Sequence, residues 1–132
     1  AWQTRGERGI EWMYSYAEAL KLAEEKPRLL MVYYWSDQKK GSSPEENKAF
    51  LDEGLVRLSQ QYICVRLNQS VDRDLFLAHK VDKVPHIRFL KPDGGACGKG
   101  ISAIKLEAMV SVMRDVLQQY SPEQVETGSE QK

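Results

Sequence analysis

The sequence has no excess of charge of either sign: Lys plus Arg and Asp plus Glu are 19 each in 132 residues. A neutral chain offers no electrostatic footprint for nucleic acid or an anionic membrane, and neither is expected as a partner. No apolar run approaches the ~20 residues that a membrane-spanning helix needs. Cysteine is scarce, with Cys64 and Cys97 alone. Their spacing is neither C-x-x-C nor that of a metal site, so no metal and no cofactor is expected. Both fall in stretches that read as strands, where small buried thiols are ordinary. The chain opens at Ala1 with no initiator Met and no signal-peptide pattern.

What is present is a core. Apolar residues make up 42% of the chain, enough for one folded domain. The organising stretch is Leu29 to Trp35, LLMVYYW, an unbroken apolar run that a polar loop follows at once. Such a run reads as a buried strand delivering a loop to the edge of a sheet.

Around it the elements follow in order. Residues 1–9 are polar and read as a flexible arm. Ile10 to Glu25 reads as a helix on Trp12, Tyr16, Leu20 and Ala23, although Ser15 and Glu18 have capping-box spacing that would start it at Tyr16. Pro44 to Gln61 reads as a second helix. Ser43 caps it, Phe50, Leu51, Leu55 and Leu58 line its inner face, and Gly54 weakens its middle. Tyr62 to Leu67 is a strand and Asp72 to Lys80 a short helix on Leu75, Phe76 and His79. Ile87 to Leu90 is a strand, Lys91-Pro92-Asp93-Gly94-Gly95 a turn, and Ala96 to Ile101 a weak returning strand with glycines at 98 and 100. Ser102 then caps a final helix, Ala103 to Tyr120. Its stripe is Leu106, Met109, Val110, Met113, Val116, Leu117 and Tyr120. Residues 121–132 form a polar tail. A βαβ unit followed by a β-hairpin and a closing helix predicts a mixed sheet with helices on both faces.

This order resembles the thioredoxin-like fold family over residues 10–120. Four pieces carry the resemblance. The first is Trp35-Ser36-Asp37-Gln38-Lys39-Lys40, which has the spacing of W-C-x-x-C-K without either cysteine. The others are Pro44 at the offset of the family's helix-kinking proline, Val84-Pro85 at its cis-proline, and F-L-K-P-D-G-G at its last hairpin. The start, W-M-Y-S-Y-A-E-A-L-K-L-A-E-E-K-P, is similar to one branch of the family, whose members are often exported. That leans towards an exported or periplasmic setting. The resemblance implies an α/β three-layer sandwich with a mixed four- to five-stranded sheet.

The departures from the family bear on function. The family's first cysteine attacks a disulfide as a thiolate and the second resolves the mixed disulfide. Ser36 and Lys39 hold those positions here, and Leu30 stands where the family has a buried acid. Three redox positions are therefore empty together. The resemblance implies a redox-inactive module, chaperone-like or for assembly, that binds a protein or peptide segment, as a monomer or weak oligomer. The surface it implies is Trp35, Ser36, Asp37, Gln38 and Lys39 with Val84, Pro85 and His86. Relatives pair an extended peptide with the backbone just before the proline, which needs no thiol. Competing readings are an oxidoreductase using Cys64 or Cys97, a transferase-like relative working with a hydroxyl, and a structural subunit of a larger assembly. Ser36 to Lys39 also matches S-x-x-K, but no S-D-N or K-T-G follows and the chain is far short of that enzyme class. His79 and His86 are not spaced as metal ligands on one helix. His79 is expected to be a packing or capping residue.

Overall fold

The computed structural model describes residues 9–37 and 44–120, with residues 44–47 as backbone only. Most of the expected polar arm and all of the polar tail lie outside the described residues, as do Gln38, Lys39, Lys40 and the capping Ser43.

The elements are β1 (Trp12–Met13), α1 (Tyr16–Glu25), β2 (Leu29–Trp35), α2 (Pro44–Leu51), α3 (Glu53–Ser59), β3 (Tyr62–Asn68), α4 (Arg73–Ala78), β4 (His86–Leu90) and α5 (Leu106–Tyr120). The sheet runs β1-β3-β2-β4. Strand β3 is parallel to β1 and to β2, whereas β4 is antiparallel to β2. The sheet is thus mixed, as expected, and its central strand is the apolar run. Six of the seven residues of β2 are buried, because both faces of this strand are covered.

Alternation along β2 sorts its side chains between two cores. Leu29, Met31 and Tyr33 join Phe89, Tyr62, Met109 and Met113 beneath α2, α3 and α5. Leu30, Val32 and Tyr34 join Ala19, Ala23, Val65 and Phe76 beneath α1 and α4. The result is three layers, helix, sheet, helix.

Several boundaries differ from the sequence expectation, each for a local reason. Helix α1 starts at Tyr16: the Ser15 hydroxyl accepts the Glu18 N–H at 3.2 Å, so the capping box decides the matter. Trp12 is therefore not helical. It pairs with Cys64 as part of β1 and packs its ring on Tyr33 and Phe50, at centroid distances of 5.5 and 5.6 Å. The expected long second helix is two helices. Asp52 is the N-cap of α3, its carboxylate accepting the Leu55 N–H at 3.0 Å, and α2 ends just before it at Leu51. Leu51, expected on the inner face, is 64% exposed in consequence.

The last helix begins at Leu106 rather than Ala103, and Ser102 binds His86 instead of capping it. Ala96 to Ile101 is not a continuous strand. It touches β4 through two isolated bridges, Leu90 with Ala96 and Ile87 with Ile101. At Gly100 a Cβ would sit 2.7 Å from the His86 ring, which only glycine avoids, and a ladder cannot run smoothly through that close approach.

Candidate functional site

Strand β2 ends at Trp35, and the chain turns through Ser36 and Asp37. The β2–β4 pairing ends at Tyr34 opposite His86. Trp35 and Ser36 therefore follow directly on the paired end of β2, and Val84 and Pro85 directly precede the paired start of β4. The Val84–Pro85 peptide is cis. Of the expected surface, Trp35, Ser36 and Asp37 thus continue β2 and Val84 and Pro85 lead into His86 at the start of β4, while Gln38 and Lys39 lie outside the described residues. Ser36 is buried, at 8% exposure, and Val84 likewise, at 8%.

Asp37 is clamped from the end of the neighbouring strand. Its carboxylate accepts the Asn68 Nδ2–H at 3.1 Å and the Ser70 hydroxyl at 2.5 Å, and its N–H donates to Asn68 Oδ1 at 3.3 Å. Asn68 is held in turn: its N–H donates to Asp72 Oδ2 at 3.0 Å, and the Ser70 N–H donates to Asn68 Oδ1. The Gln69 N–H donates to the Trp35 carbonyl at 2.8 Å. Sequence reasoning missed Asn68, Ser70 and Asp72. The signal was the cluster N-Q-S-V-D just after β3, whose side chains favour local turns. That it closes on Asp37 could not be read, because 31 residues separate the partners.

Trp35 is half-buried, with the Arg66 guanidinium 4.4 Å from its ring centroid. A stacked cation holds the indole in place. Beside Ser36 opens a cavity of about 480 Å³ lined by Phe76, Leu77, Val81, Arg73 and Ser70. Leu77 is 76% exposed at its rim.

His86 does not stand free. The Arg88 Nε–H donates to His86 Nε2 at 3.3 Å, and His86 Nδ1 lies 3.1 Å from the Ser102 hydroxyl. Since a guanidinium only donates, Nε2 must accept, and a neutral His86 carries its proton on Nδ1 towards Ser102. Burial and then the Arg88 charge hold the His86 pKa below its usual 6.5. His79 follows the last residue of α4 and packs against Tyr16, with Tyr34 Oη 2.8 Å from its Nδ1. Burial, then Arg88, lowers its pKa too. Burial above all pushes the buried Tyr34 phenol up to about 12.

The two thiols lie elsewhere. Both are free and buried on the α2, α3 and α5 side, Cys64 in β3 and Cys97 just beyond β4. Strands β2 and β4 separate them, so three spacings of ~4.8 Å apply, beyond disulfide reach. Burial raises Cys64 to about 12 and Cys97 to about 11. Among the described residues, no group of three or more His, Cys, Asp or Glu side chains could hold a metal ion. No described helix is long and apolar enough to cross a membrane.

A mixed four-stranded sheet of this order, layered by helices, is a thioredoxin-like α/β fold. The solved structures it matches include a thioredoxin from Thermus thermophilus, with a TM-score of 0.69 and 23% identity over 86% of this chain and 91% of that one. The DsbH oxidoreductase matches with a TM-score of 0.68 at 14% identity, over 84% of this chain and 86% of that one. A Fasciola hepatica thioredoxin matches at 0.61 and 18% identity, over 81% and 99%. At these identities the likeness is one of fold. No protein-family model matches the sequence, and no curated protein matches it either.

Proposed function

We propose that this chain is a thioredoxin-like binding module without dithiol chemistry, recognising a protein or peptide segment at the end of β2. One observation carries the reading. A buried hydroxyl, Ser36, stands where the chain leaves β2, and both thiols are buried elsewhere in the fold. A thiol exchanges disulfides as its thiolate. With pKa values pushed to about 12 and about 11, Cys64 and Cys97 stay protonated at neutral pH. The names of the structural neighbours include an oxidoreductase, and the fold is suited to that chemistry, but here both thiols lie level with Met31, four residues before Trp35 along β2.

Binding needs a fixed surface rather than a reactive one. Asp37 is tied to β3 by its hydrogen bonds, and Trp35 is stacked on Arg66. Little ordering is then left to be done on association. The apolar cavity beside Ser36, with Phe76, Leu77 and Val81, offers a pocket for a side chain of an extended segment. Trp35, Ser36, Asp37, Gln38, Lys39, Val84, Pro85 and His86 are the proposed contact surface.

The test has two arms. The protein should not accelerate the reduction of insulin disulfides. Acceleration that vanishes with Cys64→Ala or Cys97→Ala overturns the reading in favour of an oxidoreductase. A pull-down from the native source should recover a protein partner that the Trp35→Ala/His86→Ala variant does not retain, and equal recovery by both places the surface elsewhere.

A further inference from the structure

A second cleft, of about 340 Å³, lies away from Ser36, between the start of α1, the end of α4 and the turn after β4. Tyr16, His79, Lys80, Arg88 and Leu90 line it, with Gly94 and Gly100 in its wall. Arg88 is its fixed point. Its Nη1–H donates to the His79 carbonyl at 2.6 Å, its Nε–H donates to His86, and its guanidinium lies 5.6 Å from the Tyr34 ring centroid. A guanidinium has five N–H groups in a rigid fork; these bonds use two of them, and the Tyr34 hydroxyl draws on a third. The one buried side-chain polar atom without a partner among the described residues is Arg66 Nε, so the remaining N–H groups of Arg88 are not sealed in. No hydrogen bond or ion pair joins Arg88 to a carboxylate among the described residues. A half-buried cation is thus held at a cleft wall with donors to spare and no carboxylate on it among the described residues.

The surroundings fit the same chemistry. Lys80 follows α4 with a φ of 58°, a left-handed conformation that a lysine rarely takes, and brings a second cation to the cleft. The backbone approaches closely where side chains are missing: a Cβ on Gly100 would strike the His86 ring, and Gly94 has a φ of 93°. A metal ion is the wrong occupant. Arg88 already occupies His86 Nε2, and the guanidinium would repel a cation. The volume holds several waters, at ~30 Å³ each, or a small organic acid, but not a peptide.

We propose that this cleft binds a small oxyanion, a carboxylate or a phosphate, on the Arg88 fork with Lys80 beside it. The cleft is distinct from the cavity beside Ser36, and His86 adjoins it through the Arg88 hydrogen bond. A fixed guanidinium is suited to either anion because its donors match their paired oxygens. Binding reports on the histidines. The groups facing them are Arg88 on β4, Tyr34 on β2, Tyr16 on α1 and Ser102, with Lys80 adjoining His79. A bound anion offsets the Arg88 field and raises the pKa of both rings.

The experiment is an NMR titration of the labelled protein with inorganic phosphate, with acetate, and with chloride as control at constant ionic strength. Saturable shifts at Arg88, Lys80 and Gly94 are expected with phosphate or acetate, but not with chloride, and both histidine titrations should move upward. Saturation by one anion alone assigns the site to that chemistry. Arg88→Gln should weaken binding about tenfold or more, as loss of a charge-assisted pair does, and Lys80→Gln by about two- to threefold. Trp35→Ala should leave it unchanged. Shifts that never saturate, or that chloride reproduces, overturn the proposal. So does an affinity that survives Arg88→Gln. Should Arg88→Gln fail to fold, the Lys80→Gln affinity and the wild-type histidine titrations decide in the same way.

Discussion

The two faces of the sheet solve different problems. The face under α2, α3 and α5 is packed with aliphatic, aromatic and sulfur side chains, and Phe89, Met109 and Met113 are all but sealed. A long polar reach on this face is Tyr62, whose hydroxyl donates to the Met113 carbonyl at 2.7 Å. The face under α1 and α4 starts from a similar apolar centre, but towards β4 it becomes a chain of polar contacts through Tyr34, His79, Arg88, His86 and Ser102. Buried polar groups cost stability unless partnered, and each member of this chain has a partner. The Arg88 cleft and the cavity beside Ser36 border this second face, whereas Trp35 packs against the first. The first holds the two buried thiols, whose pKa values burial raises.

The comparison can be broken most sharply by core truncation. Phe89→Ala should destabilise by about 3–5 kcal/mol, since a sealed side chain on a dry face leaves a cavity that cannot collapse. Phe76→Ala, equally buried on the other face, should fall at the low end of that range. Phe76 sits on the short α4 and lines an open cavity, so the site can relax. Chemical denaturation of both variants measures the difference. Equal losses would mean that the faces are equally rigid.

A smaller contrast lies in two tyrosines. Tyr62→Phe should cost about 1–2 kcal/mol, because the Met113 carbonyl loses a buried donor. Tyr34→Phe should cost about 1 kcal/mol or less, since His79 Nδ1 is only half-buried and can turn to water. The distinguishing readout is the His79 ring. Its titration should shift in Tyr34→Phe and stay fixed in Tyr62→Phe.

What was legible in the sequence was what rests on short-range chemistry. The run Leu29 to Trp35 became the central strand, the stripe from Leu106 to Tyr120 faces the core, and Ser15 caps its helix. Errors came where a local pattern was ambiguous or where distant residues decide. Trp12 stands four before Tyr16 and so mimics a helical repeat, but a two-residue strand has no period to display. The break at Asp52 was hidden because Asp52-Glu53-Gly54 reads as a weak helix middle until the Leu55 N–H is found on the carboxylate. At the end of β2, the position of Trp35 and Ser36 followed from the strand, whereas the clamp on Asp37 and the Arg88 contacts depend on which strands are neighbours. Arg88 in particular looks like an ordinary polar residue on the alternating face of a strand.

The smallest expected effects near neutrality are those of pH, and the histidines and thiols of the two faces give them opposite signs. His79 and His86 have folded-state pKa values below the usual 6.5. As pH falls through 6.5 the unfolded chain takes up protons that the folded chain refuses, so stability drops and the loss levels off only below the folded values. This acid limb belongs to the polar face, and a His79→Gln/His86→Gln variant should flatten it. The thiols act in the opposite sense. Unfolded cysteines ionise near 9.0, whereas Cys64 and Cys97 hold their protons to about 12 and about 11. Stability therefore falls as pH rises above 9, and Cys97→Ala should make that alkaline limb shallower while leaving the acid limb in place. Denaturation midpoints measured across the two ranges check both signs. An acid limb that Cys97→Ala alters as much as the histidine variant does would mean that the two faces are coupled through the sheet rather than independent.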